Sequence, residues 1–457
     1  MMSEEEADHT CPRAVILAAG LGTRMKSKRP KMLHTLGGRT LIDRCVETAT
    51  RLANDRPIVV TGRGGEAVRA AVADRAICVV QDPPLGTGHA LAQAEAAARS
   101  AGQIIVTYGD VPLLTVELLR RLLNLREVSG AAIAMLTVLV DDPRGFGRVV
   151  RDPSGEQVLA IVEDVACTPE QRAIREINVG AYCFDGDWLW PALQRVRPNP
   201  HNGEYFLTDL IALAIADGRA VRALLAEDRD ECIGINTRAD LAKAEAALRR
   251  RINHQHMLNG VTLLDPNTTY IEEGVAIGAD TVIWPNTHLL GETRIGSECQ
   301  VGPNTFIASS VIGDRVQVIQ SVVEDSQVAD DVHIGPFAHL RAGAQIGPHV
   351  HIGNFAEIKN STLGAGTRMG HFSYLGDATV GADVNIGAGA ITCNYDGMHK
   401  HRTLIGDHAF IGSDTMLVAP VSVGHRARTG AGAVVTKDVP DDTLAVGLPA
   451  RVIRKLK

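Results

Sequence analysis

The stretch IGPFAHLRAGAQIGPHVHIGNFAEI, residues 334–358, carries an aliphatic residue at every sixth position, and glycine follows three of these five residues. The same spacing runs without a break from Ile271 to Ile307 and returns in shorter runs as far as Val423. A period of six is typical of a parallel β-helix, in which each hexad forms one side of a coil. The aliphatic side chain points into the coil, and a small residue allows the sharp corner. The pattern predicts a solenoid with three hexads per coil.

The composition agrees with this prediction and limits the partners. The 457 residues include 45 glycines and only 4% aromatic residues, as expected where many corners and few large core residues are needed. The net charge is −7, so we expect neither a nucleic-acid-binding surface nor a membrane surface. No run of 18 apolar residues and no apolar leader occur, and the eight cysteines form no CxxC pair. These features predict a cytoplasmic protein with free thiols.

The first half of the chain follows a different rule. From residue 14 to about residue 236, short apolar runs such as AVILAAG, PIVVTG and QIIVTYGD alternate with helical patterns. Such alternation indicates a Rossmann-like α/β domain with a mainly parallel sheet, whose ligands bind at the carboxyl ends of the strands. The stretch 236–260 then has helical spacing and stops at Asn259 and Gly260. We therefore expect an α/β domain (1–236), a connecting helix (237–259) and an all-β domain (260–457).

The segment LAAGLGTRM, residues 17–25, follows the first apolar run and contains Gly20, Gly22 and Arg24. A glycine-rich turn after a buried strand can cradle a phosphate with backbone N–H groups at a strand-to-helix turn. The Walker and dinucleotide patterns are both absent. Arg24 and Lys31 add two cations, which suits a triphosphate attacked by another anion. The alternative is a solvated basic stretch.

Asp110 ends the apolar strand IIVTYGD, and Asn236 ends the segment GIN farther along the chain. A carboxylate and an amide oxygen at the carboxyl ends of strands are suitable ligands for Mg²⁺. The alternative for Asp110 is the capping of the next helix.

The hexad period breaks at TCNYDGMHKHRT, residues 392–403. A loop expelled from a solenoid has no packing role of its own, so we expect a function there.

These motifs resemble those of a known family. The pattern L-x2-G-x-G-T-x-M-x4-P-K, met by residues 17–31, is similar to that of sugar-1-phosphate nucleotidyltransferases. The segments LGTGHA, YGDVPL, GFGRVV, IVED, INVG and GEYFLTD, with GNFAEIKN, MGHFSYLGD and VNIGAGAITCNYDG in the second half, narrow the resemblance. Along nearly its whole length the chain resembles the bifunctional N-acetylglucosamine-1-phosphate uridylyltransferases/glucosamine-1-phosphate N-acetyltransferases. In that family the β-helix is left-handed and the enzyme is a homotrimer.

The resemblance implies roles for residues of the first half. Arg24 would stabilise the charge at the α-phosphate of UTP, and Asp110 and Asn236 would bind Mg²⁺. The nucleotide would be held by Leu17, Ala18, Ala19, Gly20, Lys31, Gln81, Gly86 and Thr87, and the sugar by Tyr108, Gly109, Gly147, Glu163 and Asn178.

In the second half, the resemblance implies that His371 is the base for acetyl transfer from acetyl-CoA; the alternative is a surface histidine. Arg341 and Lys359 would bind the sugar phosphate. Tyr374 and Asn385 would fix the sugar, Ala388, Ser413 and Ala431 would line the CoA channel, and Asn394 and Tyr395 would reach acetyl-CoA across a subunit boundary. The arginine-containing tail expected of the family is absent, and Arg451 would replace its contact to CoA.

The sequence therefore predicts an enzyme that acetylates glucosamine-1-phosphate and joins the product to UTP, which makes UDP-N-acetylglucosamine. One alternative is a single-activity sugar-1-phosphate nucleotidyltransferase with a structural β-helix. The other is a non-catalytic regulatory relative, against which the intact Arg24, Lys31 and Asp110 argue.

Overall fold

The computed structural model describes residues 12–200 and 202–455, and the chain divides into two compact units, Met1–Ala247 and Leu248–Lys457. The acidic N-terminal segment and Cys11 lie outside the described residues. The cysteines within the described ranges are all free thiols, as predicted. None of the helices in those ranges has the length and apolar character needed to span a membrane.

The strands of the first unit are β1 (Arg13–Ala18), β2 (Thr35–Leu36), β3 (Arg39–Thr40), β4 (Ile58–Gly62), β5 (Ile77–Gln81), β6 (Gln103–Tyr108), β7 (Ile133–Leu139), β8 (Arg148–Arg151), β9 (Val158–Val162), β10 (Glu176–Asp185) and β11 (Val221–Leu225). Within the described ranges, nine of them form a mainly parallel sheet with the path order β11-β7-β10-β6-β1-β4-β5, in which β8 pairs with β10 and β9 pairs with β8. The short strands β2 and β3 pair with each other. Only β10 runs antiparallel to both of its neighbours on that path, β6 and β7.

Helices cover both faces of this sheet, so alternate side chains of one strand enter two separate cores. In β1, Val15 and Leu17 pack in one core, whereas Ala14, Ile16 and Ala18 pack in the other. Burial on both faces is thus confirmed for the central strands, but the edge strand β5 is only partly buried. The helices are α1 (Leu41–Ala53), α2 (Glu66–Val72), α3 (Thr87–Ala92), α4 (Glu95–Ala98), α5 (Val116–Ser129), α6 (Pro169–Arg172), α7 (Gly186–Leu193), α8 (Asp209–Ala216) and α9 (Arg238–Leu258).

The expected strand-to-helix turn after β1 is wrong. The chain leaves β1 through a loop with two short 3₁₀ turns, Thr23–Met25 and Lys31–Leu33, and the first α-helix begins only at Leu41. Gly22 and Lys26 adopt left-handed conformations on either side of the first turn, which prevents a continuous helix. Any anion at this loop is therefore held by loop backbone and side chains rather than by a helix terminus.

The second unit is a parallel β-helix whose coils each contribute one short strand to three faces, as the hexads predict. The first face contains Thr262–Leu263, Val282–Ile283, Gln300–Val301, Gln317–Val318, His333–Ile334, His351–Ile352, Arg368–Met369, Asn385–Ile386, Phe410–Ile411, Arg428–Thr429, Thr443–Val446 and Arg451–Lys455. The second contains Thr269–Ile271, Thr287–Leu290, Phe306–Ala308, Val322–Glu324, His339–Leu340, Ala356–Lys359, Ser373–Gly376, Ile391–Cys393, Met416–Val418 and Val434–Val435. The third contains Ala276–Ile277, Arg294–Ile295, Val311–Ile312, Gln327–Val328, Gln345–Ile346, Thr362–Leu363, Ala378–Val380, Thr403–Ile405 and Val421–Val423.

The hexad aliphatic residues stack in register and fill one continuous core. Ile334 pairs with Ile352 on the first face, and Leu340 pairs with Ile358 on the second. All four side chains are buried. Residues 394–402 are the loop expelled between the second and third faces, where the period breaks.

The long helix α9 falls within the stretch whose spacing is helical, and Thr237 caps its first turn. The Thr237 hydroxyl accepts a hydrogen bond from the Asp240 N–H, and the Asp240 carboxylate accepts one from the Thr237 N–H. This reciprocal arrangement satisfies donors of the first turn. The Asn236 side chain is consequently not used as a cap.

We predict that Gly353→Ala destabilises the β-helix, because a Cβ at this position would overlap the carbonyl of Gly370 in the next coil. The expected cost is about 1–3 kcal/mol, seen as a melting temperature lower by several degrees. Gly370→Ala is the matched control, since a Cβ there meets no atom within 4 Å. Equal melting temperatures for the two variants would contradict this account of coil stacking.

Candidate functional site

A cavity of about 490 Å³ opens at the carboxyl ends of β1, β5 and β6. This is the edge at which ligands bind in open α/β sheets. Nine residues predicted from the sequence line it: Leu17, Ala19, Gly20, Lys31, Gln81, Gly86, Thr87, Tyr108 and Asp110. The wall is completed by Met32, Pro84, Ala90, Glu204 and Phe206, which sequence reasoning did not single out, although the last two belong to the quoted GEYFLTD motif.

Cations and oxygen donors meet at one side of this cavity. The Lys31 Nζ lies 2.7 Å from the Asp110 Oδ2 and 3.2 Å from the Asn236 Oδ1. The Arg24 Nη2 lies 3.0 Å from the same Asn236 oxygen. The Lys31 side chain is only 7% exposed, so its charge acts where water screens it poorly. The fold therefore brings together the four residues that the sequence assigned to phosphate and metal binding.

The backbone around these donors is held by short-range contacts. The Ile235 N–H donates to the Asp110 carbonyl at 2.8 Å, which places the two oxygen-bearing segments side by side. The Asn236 N–H donates to the Asp240 carboxylate. The capping role considered for Asp110 is wrong, because Thr115 caps the next helix. Neither the Asp110 carboxylate nor the Asn236 amide oxygen therefore caps a helix. Both accept a hydrogen bond from Lys31, and Asn236 also accepts one from Arg24.

Two glycines in the site are required by close approach. Gly22 has a φ of 63°, and a Cβ there would lie 2.6 Å from the Cβ of Lys31. Gly86 has a φ of 95°, and a Cβ there would lie 2.6 Å from the Tyr205 carbonyl oxygen. Left-handed backbone and lack of space both favour glycine at these positions. Gly22 thus makes room for the buried lysine stem rather than for an anion.

The donor set suits Mg²⁺. This ion is usually bound through one or two carboxylates together with substrate phosphates and waters. Asp110 supplies a carboxylate and Asn236 an amide oxygen, and both oxygens lie within hydrogen-bonding distance of one ammonium group. Within the described ranges, no three His, Cys, Asp or Glu side chains gather as a metal cluster. A site completed by the substrate therefore fits better than an all-protein cage.

The residues expected to contact sugar lie around Tyr108, which lines the cavity. The Asn178 Nδ2 donates to the Tyr182 hydroxyl at 2.6 Å, and its Oδ1 accepts from the Gly180 N–H. A bulge in β10 between Asn178 and Tyr182 turns these side chains toward the same place. Burial raises the pKa of Tyr108 to about 12, and side-chain interactions with Thr87 and Tyr182 act on the same hydroxyl. Tyr182 was missed by sequence reasoning because a buried tyrosine resembles any core residue.

The remaining predicted residues of the first unit lie next to the residues described above. Gly147 accepts from the Asn178 N–H through its carbonyl, and a Cβ on Gly147 would lie 3.5 Å from the Glu163 Oε1. The Gly109 N–H donates to the Leu17 carbonyl. A Cβ on Gly109 would contact Ala18, which is itself buried in the core.

Gln81 is oriented before any ligand binds. It is 3% exposed, and its Nε2 donates to the Gly86 carbonyl at 2.8 Å. A carbonyl can only accept, so this contact identifies the amide nitrogen without ambiguity. The same Nε2 lies 3.2 Å from the His89 Nδ1. The Gln81 Oε1 remains as an acceptor at the cavity, suitable for an N–H of a pyrimidine base.

In the second unit, four predicted residues stack at one edge. His371, Ala388, Ser413 and Ala431 each lie at the corner between the first and second faces, in successive coils. The Asp414 N–H donates to the Ala388 carbonyl, and the Gly432 N–H donates to the Ser413 carbonyl. Backbone hydrogen bonds therefore link successive coils along this column. His371 is the first residue of this column and is exposed.

The other predicted residues of this unit lie on the second face or at its far edge, except Asn385 and Arg451, which belong to strands of the first face. Leu340, Ile358 and Leu375 are aligned in neighbouring strands, which places Arg341, Lys359 and Tyr374 in adjacent coils. Asn394 is buried, whereas Tyr395 and Arg451 are exposed.

Lys400 is a site candidate that sequence reasoning missed. It lies on the expelled loop, close enough to Lys359 for the two side chains to interact. This interaction, the Lys400 charge and then the Arg341 charge hold the pKa of Lys359 below its usual value. Three cations thus gather at one edge of the second face. The loop breaks the period, so no register could have predicted where Lys400 would lie.

Comparison with known proteins agrees with both units. Residues 14–176 match the model of the MobA-like NTP transferase domain. Residues 274–309 and 325–360 match that of the bacterial transferase hexapeptide, and residues 402–437 match the hexapeptide repeat of succinyl-transferase. The fold and the two sites therefore define a nucleotidyltransferase joined to a left-handed β-helix of hexapeptide repeats, which is typical of acyltransferases.

Relatives over nearly the whole chain narrow this class. Proteins named bifunctional protein GlmU are 49% identical in Heliobacterium modesticaldum (95% of this chain, 94% of the relative), 48% in Geobacillus thermodenitrificans (96% of each) and 47% in an Exiguobacterium species (95% and 96%). The chain belongs to the family of bifunctional GlmU proteins. It is a uridylyltransferase and acetyltransferase that makes UDP-N-acetylglucosamine, and neither alternative weighed from the sequence is supported.

We predict that Tyr182→Phe weakens sugar-phosphate binding, because Asn178, which the sequence assigns to the sugar, loses the hydroxyl that accepts a hydrogen bond from its Nδ2. The KM for N-acetylglucosamine-1-phosphate should rise about tenfold, which is the order expected for one lost buried hydrogen bond. The KM for UTP should stay unchanged, and acetyl transfer by the same protein is the internal control. A KM equal to that of the unaltered enzyme would contradict the assigned contact.

Proposed function

We propose that the α/β domain transfers the uridylyl group of UTP to N-acetylglucosamine-1-phosphate, and that the β-helix first acetylates glucosamine-1-phosphate with acetyl-CoA. In this proposal uridylyl transfer belongs to residues 1–236 and acetyl transfer belongs to residues 260–457. Residues 237–259 connect the two domains. The proposal rests on one observation: the side chains of Lys31 and Arg24 donate hydrogen bonds to the oxygens of Asp110 and Asn236. Such a cluster suits two polyanions that must react with each other.

In the uridylyl transfer, a phosphate oxygen of the sugar phosphate attacks the α-phosphorus of UTP. The bond from this phosphorus to the bridging oxygen breaks, and pyrophosphate leaves. Lys31 and Arg24 offset the repulsion between the reactants, because ammonium and guanidinium groups stabilise developing negative charge where water is excluded. The attacking phosphate is already ionised, so no side chain has to remove a proton.

Substrate contacts follow from the residues around the cavity. The Gln81 Oε1 accepts the N3–H of uracil, beside Gly86 and Thr87. Leu17, Ala18, Ala19 and Gly20 place loop backbone against the nucleotide. Tyr108, Gly109, Gly147, Glu163 and Asn178 hold the sugar.

Asp110 and Asn236 would hold Mg²⁺ in this site. The bound ion would neutralise phosphate charge and align the triphosphate. The oxygen ligands that these two residues offer support this assignment, as does the position of Asp110 two residues after the end of β6.

In the acetyl transfer, the sugar amine attacks the thioester carbonyl carbon, and the carbon–sulfur bond breaks to release CoA. His371 takes the amine proton, for which imidazole is suited near neutral pH. Arg341, Lys359 and Lys400 bind the sugar phosphate, and Tyr374 and Asn385 fix the sugar. Acetyl-CoA lies along Ala388, Ser413 and Ala431, with Asn394, Tyr395 and Arg451 as further contacts.

We further propose a cytoplasmic homotrimer whose product serves peptidoglycan and lipopolysaccharide synthesis in the bacterial cell wall. Phe337 and Phe355 stack with centroids 5.3 Å apart on the same edge as His371, and they are 52% and 61% exposed. Such an exposed aromatic column suits an interface between chains. The expelled loop lies at the opposite edge of the second face, where it can reach a neighbouring chain.

Asp110→Asn preserves the shape of the proposed metal ligand but removes its charge. We expect pyrophosphate release from UTP to fall by about 10- to 100-fold and to recover partly at high Mg²⁺ concentration. Asp142→Asn, which alters an exposed carboxylate paired with Arg144, is the matched control. Full activity of Asp110→Asn at low Mg²⁺ would rule out this metal site.

His371→Ala separates the two activities. We expect acetyl transfer to fall by about 10²- to 10⁴-fold, the usual loss of a general base, while uridylyl transfer is unchanged. His351→Ala serves as control, because His351 is an exposed histidine one coil earlier that stacks on His333. Acetyl transfer that survives in His371→Ala would assign the base to another residue.

A further inference from the structure

Both ends of the expelled loop, residues 394–402, are attached to one residue. The Asn394 Nδ2 donates to the Asp377 Oδ2 at 2.6 Å, and the Thr403 N–H donates to the Asp377 carbonyl at 3.3 Å. The Asp377 N–H in turn donates to the Lys359 carbonyl of the preceding coil at 3.1 Å. Asp377 thus joins three consecutive coils at the point where the loop leaves the solenoid.

The loop has internal structure of its own. The Asp396 carboxylate accepts from the N–H groups of Met398 and His399 and interacts with the His401 ring. The His401 N–H donates to the Asn394 carbonyl at 2.8 Å. These contacts brace the loop internally, so its position depends on its two attached ends.

The Asp377 carboxylate also acts on the cations near the loop. Burial favours its neutral form, yet hydrogen bonds from Asn360 and Asn394 and the charges of Lys400 and Lys359 hold the pKa of Asp377 below its usual value. The Asn360 Nδ2 lies 2.5 Å from the Asp377 Oδ1, so both carboxylate oxygens are engaged. One negative charge therefore lies beside two ammonium groups that repel each other.

We propose that Asp377 is a positioning residue of the acetyltransferase site, which sets the loop and holds Lys400 beside Lys359. This inference rests on the proposed role of those lysines in binding the sugar phosphate. Asp377 itself contacts no substrate. Its hydrogen bond orients Asn394, and its charge lets the two ammonium groups remain adjacent until a phosphate dianion binds between them.

The test compares Asp377→Ala and Asp377→Asn with Asn360→Ala in the full-length enzyme. Asn360 contacts the far carboxylate oxygen and no residue of the loop, so it is the matched control. For Asp377→Ala we expect the KM for glucosamine-1-phosphate to rise about tenfold, with a smaller change in kcat. We expect uridylyl transfer to be unchanged.

A second readout does not depend on activity. Trypsin can cleave after Lys400 and Arg402, so loop release should accelerate proteolysis at these two bonds in Asp377→Ala and leave it unchanged in Asn360→Ala. Asp377→Asn keeps the shape and removes the charge, so it should raise the KM even if Asp377→Ala folds poorly.

Unchanged KM values and unchanged cleavage in both Asp377 variants would overturn the proposal. An equal effect of Asn360→Ala would also overturn it, since that result would indicate general packing at this corner. If the unaltered enzyme transferred no acetyl group, the proposed function would fail, and loop cleavage would still decide whether Asp377 positions the loop.

Discussion

The proposed nucleotidyltransferase site depends on one constraint: an ammonium group is held at the edge of the sheet between two oxygen atoms that accept its hydrogen bonds. The Lys31 Nζ lies within hydrogen-bonding distance of both Asp110 and Asn236, which the chain supplies from distant segments. Parallel strands end at one edge, so the fold itself brings these segments together. The contact places a cation and two candidate metal ligands beside the cavity in which we propose that the two negatively charged reactants meet. In the β-helix, a second set of cations, Arg341, Lys359 and Lys400, gathers at one edge of the second face.

The periodic parts of the chain were predictable because each period has one physical cause. Every hexad must bury its aliphatic residue, so the faces and register of the solenoid follow from spacing alone, as with Ile334 and Ile352. The alternating pattern of the first half likewise led to a mainly parallel sheet and to a ligand site at its edge. Residues named from motifs, such as Gln81 and Thr87, do line the cavity.

The features that escaped prediction arise where the period fails or where tertiary contacts decide. Gly22 serves the packing of Lys31, and the turn that follows β1 is not a helix start. Tyr182 reaches Asn178 only because a bulge interrupts β10. Lys400 and Asp377 meet at a loop whose position no repeat specifies. In each case the decisive contact joins residues whose spacing carries no regular pattern.

The most direct test of the central claim is a crystal structure of the enzyme bound to UTP and Mg²⁺. The account predicts that the Lys31 ammonium contacts the phosphates of the nucleotide, with the ion bound by Asp110 and Asn236. If Lys31 made no contact with the nucleotide and no ion lay at Asp110 and Asn236, the account would be contradicted.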